Sequence, residues 1–166
     1  IIELKKENIN KNLRRINNVS FDFEQNINWE KERGNCILKY PKKILCKYNS
    51  DKEKILVSNG RYIVIKTIDS HYIYNIKKTP LNLILNKKFI LDKIQNTKGK
   101  IIDNKFMKFN FLENEYEVNL FFNKNNYNLF GWQSIDIYKN LSITFISSIV
   151  KNIKIDENIF DLPEQN

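Results

Sequence analysis

The chain has 166 residues, a formal net charge of +9, 42% hydrophobic and 13% aromatic residues, and only four glycines and three prolines. That length suits one domain, residues 1–166, with a sizeable core, and the composition excludes a disordered or collagen-like chain. No stretch approaches the ~20 apolar residues of a membrane helix, and two cysteines with one histidine do not make a closed zinc site.

Ile2, Ile9, Leu13 and Ile16 fall on one helical stripe, with Lys5, Lys6, Lys11, Arg14 and Arg15 mostly elsewhere. This predicts an amphipathic opening helix that ends near Asn17-Asn18. From Val19 the period changes to two: Phe21, Phe23, Ile27 and Trp29 alternate with Asp22, Glu24, Asn26 and Asn28, as in a long strand with one dry face. Further strands are predicted from Gly34 through Cys36 to Tyr40, at 44–48, 54–57, 61–67 and 71–76. Ser58-Asn59-Gly60 is a turn signal, because Asn-Gly suits the positive φ angles of a tight hairpin.

At Thr79-Pro80-Leu81 the pattern switches. Thr is a good N-cap and Pro suits the first helical position, so a short, very apolar helix is predicted through Leu81, Leu83, Ile84 and Leu85. Phe89, Ile90, Leu91 and Ile94 follow without a firm assignment. Strands resume around Lys100, with candidates at 105–112, 115–122, 127–133, 135–138, 141–147 and 149–155, and the tail carries Phe160 and Pro163. The sum is mainly β, about six strands, a helical segment and about five more. Such a meander of about eleven strands should curl or close, with the helices plugging its concave side.

Catalytic chemistry finds no support in the sequence. His71 sits in a predicted strand with no nucleophile signal beside it, Gly34, Gly60, Gly99 and Gly131 are isolated rather than a phosphate loop, and the carboxylates are scattered. Neither a catalytic residue, a metal nor a cofactor is expected. The basic pairs (Lys5-Lys6, Arg14-Arg15, Lys42-Lys43, Lys77-Lys78, Lys87-Lys88) are spread along the chain and read as solvated surface. A basic β-sheet nucleic-acid binder is the alternative of another class, since Tyr72/Tyr74 and Phe109/Phe111 alternate as stacking residues would. The same alternation describes a buried sheet face. Cys36 and Cys46 lie at equal distance from Pro41, so a hairpin centred there sets them opposite one another. They are either a cross-strand disulfide or two small buried apolar residues.

The order of these features resembles the outer-membrane lipoprotein carrier (LolA) family. An amphipathic helix leads into Phe21-x-Phe23-x-Gln25. Gly34-Asn35-Cys36-Ile37-Leu38-Lys39-Tyr40-Pro41 is similar to the family's Gly-to-Pro strand, and Ile44, Cys46 and Tyr48 stand where it places bulky residues. Ile55-Leu56-Val57-Ser58-Asn59-Gly60 is similar to its hairpin, and Thr79-Pro80-Leu81 with Leu83 and Leu85 to the start of its lid. Leu129, Trp132, Asp136, Thr144, Asn152, Ile153, Ile155, Phe160 and Pro163 follow its C-terminal rhythm.

The resemblance implies a half-open antiparallel β-barrel with an N-terminal helix and a helical lid in the concave face. It implies a monomeric periplasmic chaperone, mature after removal of a signal peptide, that binds the acyl chains of lipoproteins. The partners it implies are an inner-membrane ABC-type lipoprotein-releasing complex and an outer-membrane acceptor or membrane surface, with no nucleic acid. A lipid- or lipoprotein-sensing domain, or the acceptor itself, shares the fold; the first calls for a second domain and the second for a lipidated N-terminal Cys where this chain has Ile1. By strand parity the cavity walls are Phe21, Phe23, Ile27, Trp29, Leu38, Tyr40, Ile44, Tyr48, Ile63 and Ile65, and the lid is Pro80, Leu81, Leu83, Ile84 and Leu85. One departure stands out. The family commonly has Arg before the hairpin Pro, bonded to the lid; Tyr40 cannot offer a guanidinium fork, so closure should be weaker or rest on apolar packing.

Overall fold

The computed structural model describes residues 1–113, 115–136, 138 and 140–165. The predicted end of one strand candidate, 135–138, falls partly outside them. The opening helix α1 spans Ile2–Arg15 and buries Ile9 and Leu13. It ends where Asn152 reaches it: the Asn152 side chain donates to Arg15 O at 2.8 Å and accepts from Asn17 N at 2.7 Å. These bonds satisfy groups that a helix end otherwise leaves open.

Six strands follow: β1 (Asn18–Ile27), β2 (Glu30–Lys39), β3 (Lys43–Tyr48), β4 (Ile55–Asn59), β5 (Tyr62–Lys66) and β6 (His71–Asn75). After a 3-10 turn at Ile76–Lys78 come α2 (Leu81–Ile84) and α3 (Lys87–Asn96). The second set is β7 (Lys100–Ile102), β8 (Phe106–Glu113), β9 (Tyr116–Asn123), β10 (Leu129–Ile135) and β11 (Leu141–Lys151). All pair antiparallel in one eleven-stranded sheet, ordered β6-β5-β4-β3-β2-β1-β11-β10-β9-β8-β7. The β1–β11 pairing, with Val19 opposite Lys151 and Ile27 opposite Ser142, joins two local meanders. The sheet curls without closing, so β6 and β7 remain its edges. The segment between them carries α2 and α3 from one edge to the other, which sets the helices over the open side.

The core lies between the concave sheet face and the three helices, and includes Ile9, Leu13, Phe21, Leu38, Leu85, Ile90, Phe109, Leu120 and Trp132. Phe109 and Phe111 are buried there, so they form no stacking platform. The C-terminal 3-10 turn Glu157–Phe160 packs on β3 and β4, with Glu157 paired to Lys39 and Lys43. His71 Nε2 lies 3.0 Å from Pro163 O, so the one histidine ties the tail to β6.

Several local expectations are corrected. Thr79 does not cap α2 with its side chain; its hydroxyl donates to Ile76 O at 2.9 Å, completing the preceding turn, and Pro80 takes the cap position. The unassigned stretch is α3, capped by Asn86, whose Oδ1 accepts from Phe89 N at 3.1 Å. Of Asn59-Gly60 only Gly60 has positive φ, at 100°; the Asn59 side chain instead accepts from Arg61 N and Tyr62 N. A two-residue turn with both φ angles positive lies at Asn28-Trp29, 49° and 72°. Trp29 therefore leaves the strand and stands in solvent. The two final strand candidates are one strand, β11, which bends where Ser148 takes a φ of 52°.

Gly34 holds a close approach between strands. A Cβ there would collide with the Lys47 carbonyl oxygen and lie 2.8 Å from the Phe23 ring. Gly34→Ala should cost about 1–3 kcal/mol, as overpacking does in a filled core. Chemical denaturation should show an earlier midpoint with unchanged slope.

Candidate functional site: an apolar cavity beneath the α2 helix

A cavity of about 440 Å³ opens between the concave sheet face and α2. Its floor comes from β1, where alternation puts Phe21, Phe23, Gln25 and Ile27 on one face. The β2–β3 hairpin adds Cys36, Ile44, Cys46 and Tyr48, and β4–β6 add Leu56, Ile63, Ile65 and Tyr74. The far wall is Tyr116, Trp132, Ser134, Leu141 and Thr144. Cys36 and Cys46 are register partners and are joined by a disulfide.

Phe23 meets Tyr48 edge-on at 5.0 Å between centroids. Deep in the cavity the polar side chains are paired: Gln25 Nε2 donates to the buried Thr144 Oγ1 at 3.0 Å. Lys78, Ser134, Asp136, Asn140 and Ser142 also line it. Most of the lining is nonetheless aliphatic or aromatic, which favours an apolar ligand. Burial, helped by Glu32, pushes the Tyr48 phenol well above its ordinary value, so it stays neutral. Among the described residues no group of three or more His, Cys, Asp or Glu could hold a metal.

Seven of the ten predicted wall residues line this cavity: Phe21, Phe23, Ile27, Ile44, Tyr48, Ile63 and Ile65. Trp29 does not, because its turn puts it outside. Leu38 and Tyr40 face inward but too far down the barrel. There α1 and Leu85 fill the space, and a separate void of only about 30 Å³ remains. The lid prediction divides in the same way. Pro80, Leu81 and Ile84 line the cavity, while Leu83 and Leu85 do not. Residues three apart share a helix face and residues two apart do not, so Leu83 turns away into the core. Leu85 lies against the β2–β3 turn, where its carbonyl accepts from Lys42 N at 2.8 Å.

Parity in β1–β5 reveals much of one wall. Leu56, Tyr74, Tyr116, Trp132 and Thr144 escape it. Leu56 is legible in principle, since it pairs with Cys46 and Ile65 and must share their face. The far wall depends on the β1–β11 closure, which no local pattern marks.

Two anchors hold the α2 segment. The Lys42–Leu85 bond secures its end, and Tyr116 Oη donates to Lys78 O at 2.6 Å from across the mouth. Burial, then the charges of Glu115 and Asp136, raise the Tyr116 pKa, so the hydroxyl keeps its proton and can donate. Tyr40 takes no part at the mouth. Its ring sits 5.5 Å from the Lys87 ammonium at the start of α3, a packing role in place of a fork. Tyr116→Phe should loosen the mouth by about 1 kcal/mol, the net worth of one hydrogen bond. Amide exchange in residues 76–84 should speed up several-fold at unchanged global stability; an unchanged rate would mean the bond does not hold the segment.

An eleven-stranded, half-open antiparallel sheet with a lidded apolar cavity defines the structural class. The description "Outer membrane lipoprotein carrier protein LolA" matches residues 3–163. The chain belongs to this family, a non-enzymatic carrier family. The fold is similar to that of a LolA-superfamily protein from Nitrosomonas europaea (TM-score 0.52, 8% identity, 97% of each chain covered). It is also similar to an uncharacterized conserved protein from Thermus thermophilus (TM-score 0.55, 5% identity, 99% of this chain and 94% of that one). LprF from Mycobacterium bovis shares it as well (TM-score 0.50, 9% identity, 93% and 95%). None of the curated proteins compared matches the chain. Among the described residues no helix is long and apolar enough to cross a membrane.

Proposed function

We propose that this protein is a periplasmic chaperone that holds the acyl chains of lipoproteins released from the inner membrane and carries them to the outer membrane. The observation that carries this reading is the 440 Å³ cavity, walled by aliphatic and aromatic side chains and covered by a helix of four residues. Its volume falls in the ~300–1,000 Å³ range of pockets that enclose small molecules. Each methylene moved from water into such a site gains roughly 0.8 kcal/mol, so ten of them supply about 8 kcal/mol before the costs of ordering.

An empty apolar site must not stay open to water. In this reading Pro80, Leu81 and Ile84 cover it when no ligand is present and move out when chains enter. Lid movement links loading to release without ATP at the carrier. An ABC-type complex loads it, and an acceptor or the outer membrane receives the cargo. Lipoprotein release from spheroplasts tests this directly: the added protein should bring lipoproteins into the soluble fraction as one-to-one complexes. Spheroplasts that retain their lipoproteins, with the protein folded, would overturn the carrier reading.

A further inference from the structure

In an antiparallel meander successive hairpins fall on alternate ends of the sheet. The β1–β2, β3–β4 and β5–β6 connections therefore share one end. The pairing of Ile27 with Ser142 places the β10–β11 and β8–β9 connections at that end too. The cavity is lined there by Ile27, Tyr48, Tyr116 and Leu141, so this end is its mouth.

Four of the five connections carry a large apolar side chain held out in solvent at or beside the turn. Trp29 is 95% exposed, Ile68 59%, Leu112 74% and Tyr138 79%. At the opposite end the turns are Pro41-Lys42, Gly60-Arg61, Asp103-Asn104 and Lys124-Asn125-Asn126. Tyr40 and Tyr127 beside these turns are not exposed. Ile1 and Leu4, exposed at that end, belong to the start of α1 and not to a hairpin turn.

The exposed tips are built rather than loose. Ile68 N donates to Lys52 O at 2.9 Å, binding the β5–β6 loop to the β3–β4 loop. Asp136 accepts from Tyr138 N and Asn140 N, both at 2.9 Å, which ties Tyr138 and Asn140 to the end of β10. Trp29 is the strongest case. It occupies the left-handed position, φ 72°, that glycine fills at least cost, and it is a bulky aromatic there. The tight β1–β2 turn calls for the positive φ but not for an aromatic side chain, and this one is left in solvent.

We infer that this rim docks on the interface of a lipid bilayer, with Trp29, Ile68, Leu112 and Tyr138 as separate anchors around the cavity mouth. The inference rests on the acyl-carrier reading of the cavity. Trp and Tyr favour the headgroup level, where one end of the ring is dry and the other wet. Anchors on separate hairpins, with polar residues between them, suit a plane better than a contiguous protein hot spot. Charge points the same way. Lys31, Lys52 and Lys54 at this end are ion-paired with Glu24, Asp69 and Glu32, so attraction to an anionic surface is not what would hold the rim. A chain leaving the bilayer would enter the cavity directly, without crossing water.

The two tryptophans make the test direct, because Trp132 is buried and Trp29 is not. Vesicles of phosphatidylcholine and phosphatidylethanolamine should shift the emission to the blue and shield it from iodide, at low and high salt alike. Trp29→Gly should fold with equal or higher stability, since glycine suits the turn. It should partition onto vesicles at least about tenfold less, as expected for losing one interfacial anchor. It should still bind a fluorescent fatty acid. Leu112→Glu should weaken partitioning as well. The inference is overturned if vesicles leave the emission unchanged. It is also overturned if binding needs phosphatidylglycerol and disappears in salt, which would assign it to the basic surface, or if Trp29→Gly partitions like the wild type. Vesicle binding without fatty-acid binding would instead sink the cavity reading and leave the rim standing.

Discussion

Ile65→Glu should lower the affinity for a fluorescent acyl probe by about a hundredfold or more while the protein stays folded. Ile65 faces the cavity from β5, opposite Leu56 on β4, and both are half-buried rather than locked in the core. A carboxylate in the empty cavity keeps contact with water through the open mouth. An acyl chain entering would strip that water away. Leaving a polar group dry and unpaired costs a few kcal/mol, and a hundredfold is about 2.7 kcal/mol. Leu56→Glu should act in the same sense. Probe titration against circular dichroism separates lost binding from lost folding. Wild-type affinity in a folded Ile65→Glu protein would show that acyl chains do not occupy this wall. Phe23→Glu is a poorer test, because Phe23 is buried against Tyr48 and its replacement should unfold the barrel.

Removing the disulfide should have the largest effect on stability. Cys36 and Cys46 are ten positions apart and bridge β2 to β3 within the cavity wall. Closing a loop of that size restricts the unfolded chain by about 3 kcal/mol. For a chain of this length that is about 5–10 °C in melting temperature. The double Cys→Ala variant should melt lower by that amount and still bind the acyl probe below its transition. The strands on either side keep their backbone pairing, so the wall persists without the bridge. Intact mass should rise by about two protons on reduction. A melting point unaffected by reduction would mean that the hairpin is already held by its neighbours.

The molecule is legible in its sequence wherever period and side-chain type act locally. The switch from a helical stripe to alternation at Val19 places the α1–β1 boundary, and the symmetry about Pro41 sets Cys36 against Cys46. The apolar run after Thr79-Pro80 marks the segment from which Leu81 and Ile84 line the cavity. The same run cannot separate them from Leu83 and Leu85. Four apolar residues in one helical turn point in every direction, and only the sheet beneath decides which find a cavity and which find a core.

Trp29 shows the opposite failure. Alternation places it on the dry face with Phe21 and Phe23, because parity assumes the strand continues. The hairpin turns at Asn28 and sends it into solvent, from a supposed wall to the most exposed part of the mouth.

What the sequence by itself determined is the set of local elements: an opening helix, about eleven strands, a short apolar helix between the sixth and the seventh, and a cysteine pair in register. Only the tertiary structure decided where the cavity lies, because that depends on β1 meeting β11 across more than a hundred residues. This pairing sets Thr144 opposite Gln25, with Trp132 beyond it on β10, and it gathers the hairpins with apolar tips at one end. Side-chain alternation is a property of neighbours in the chain. A cavity is a property of surfaces that fail to touch, and that is fixed only when the sheet has curled.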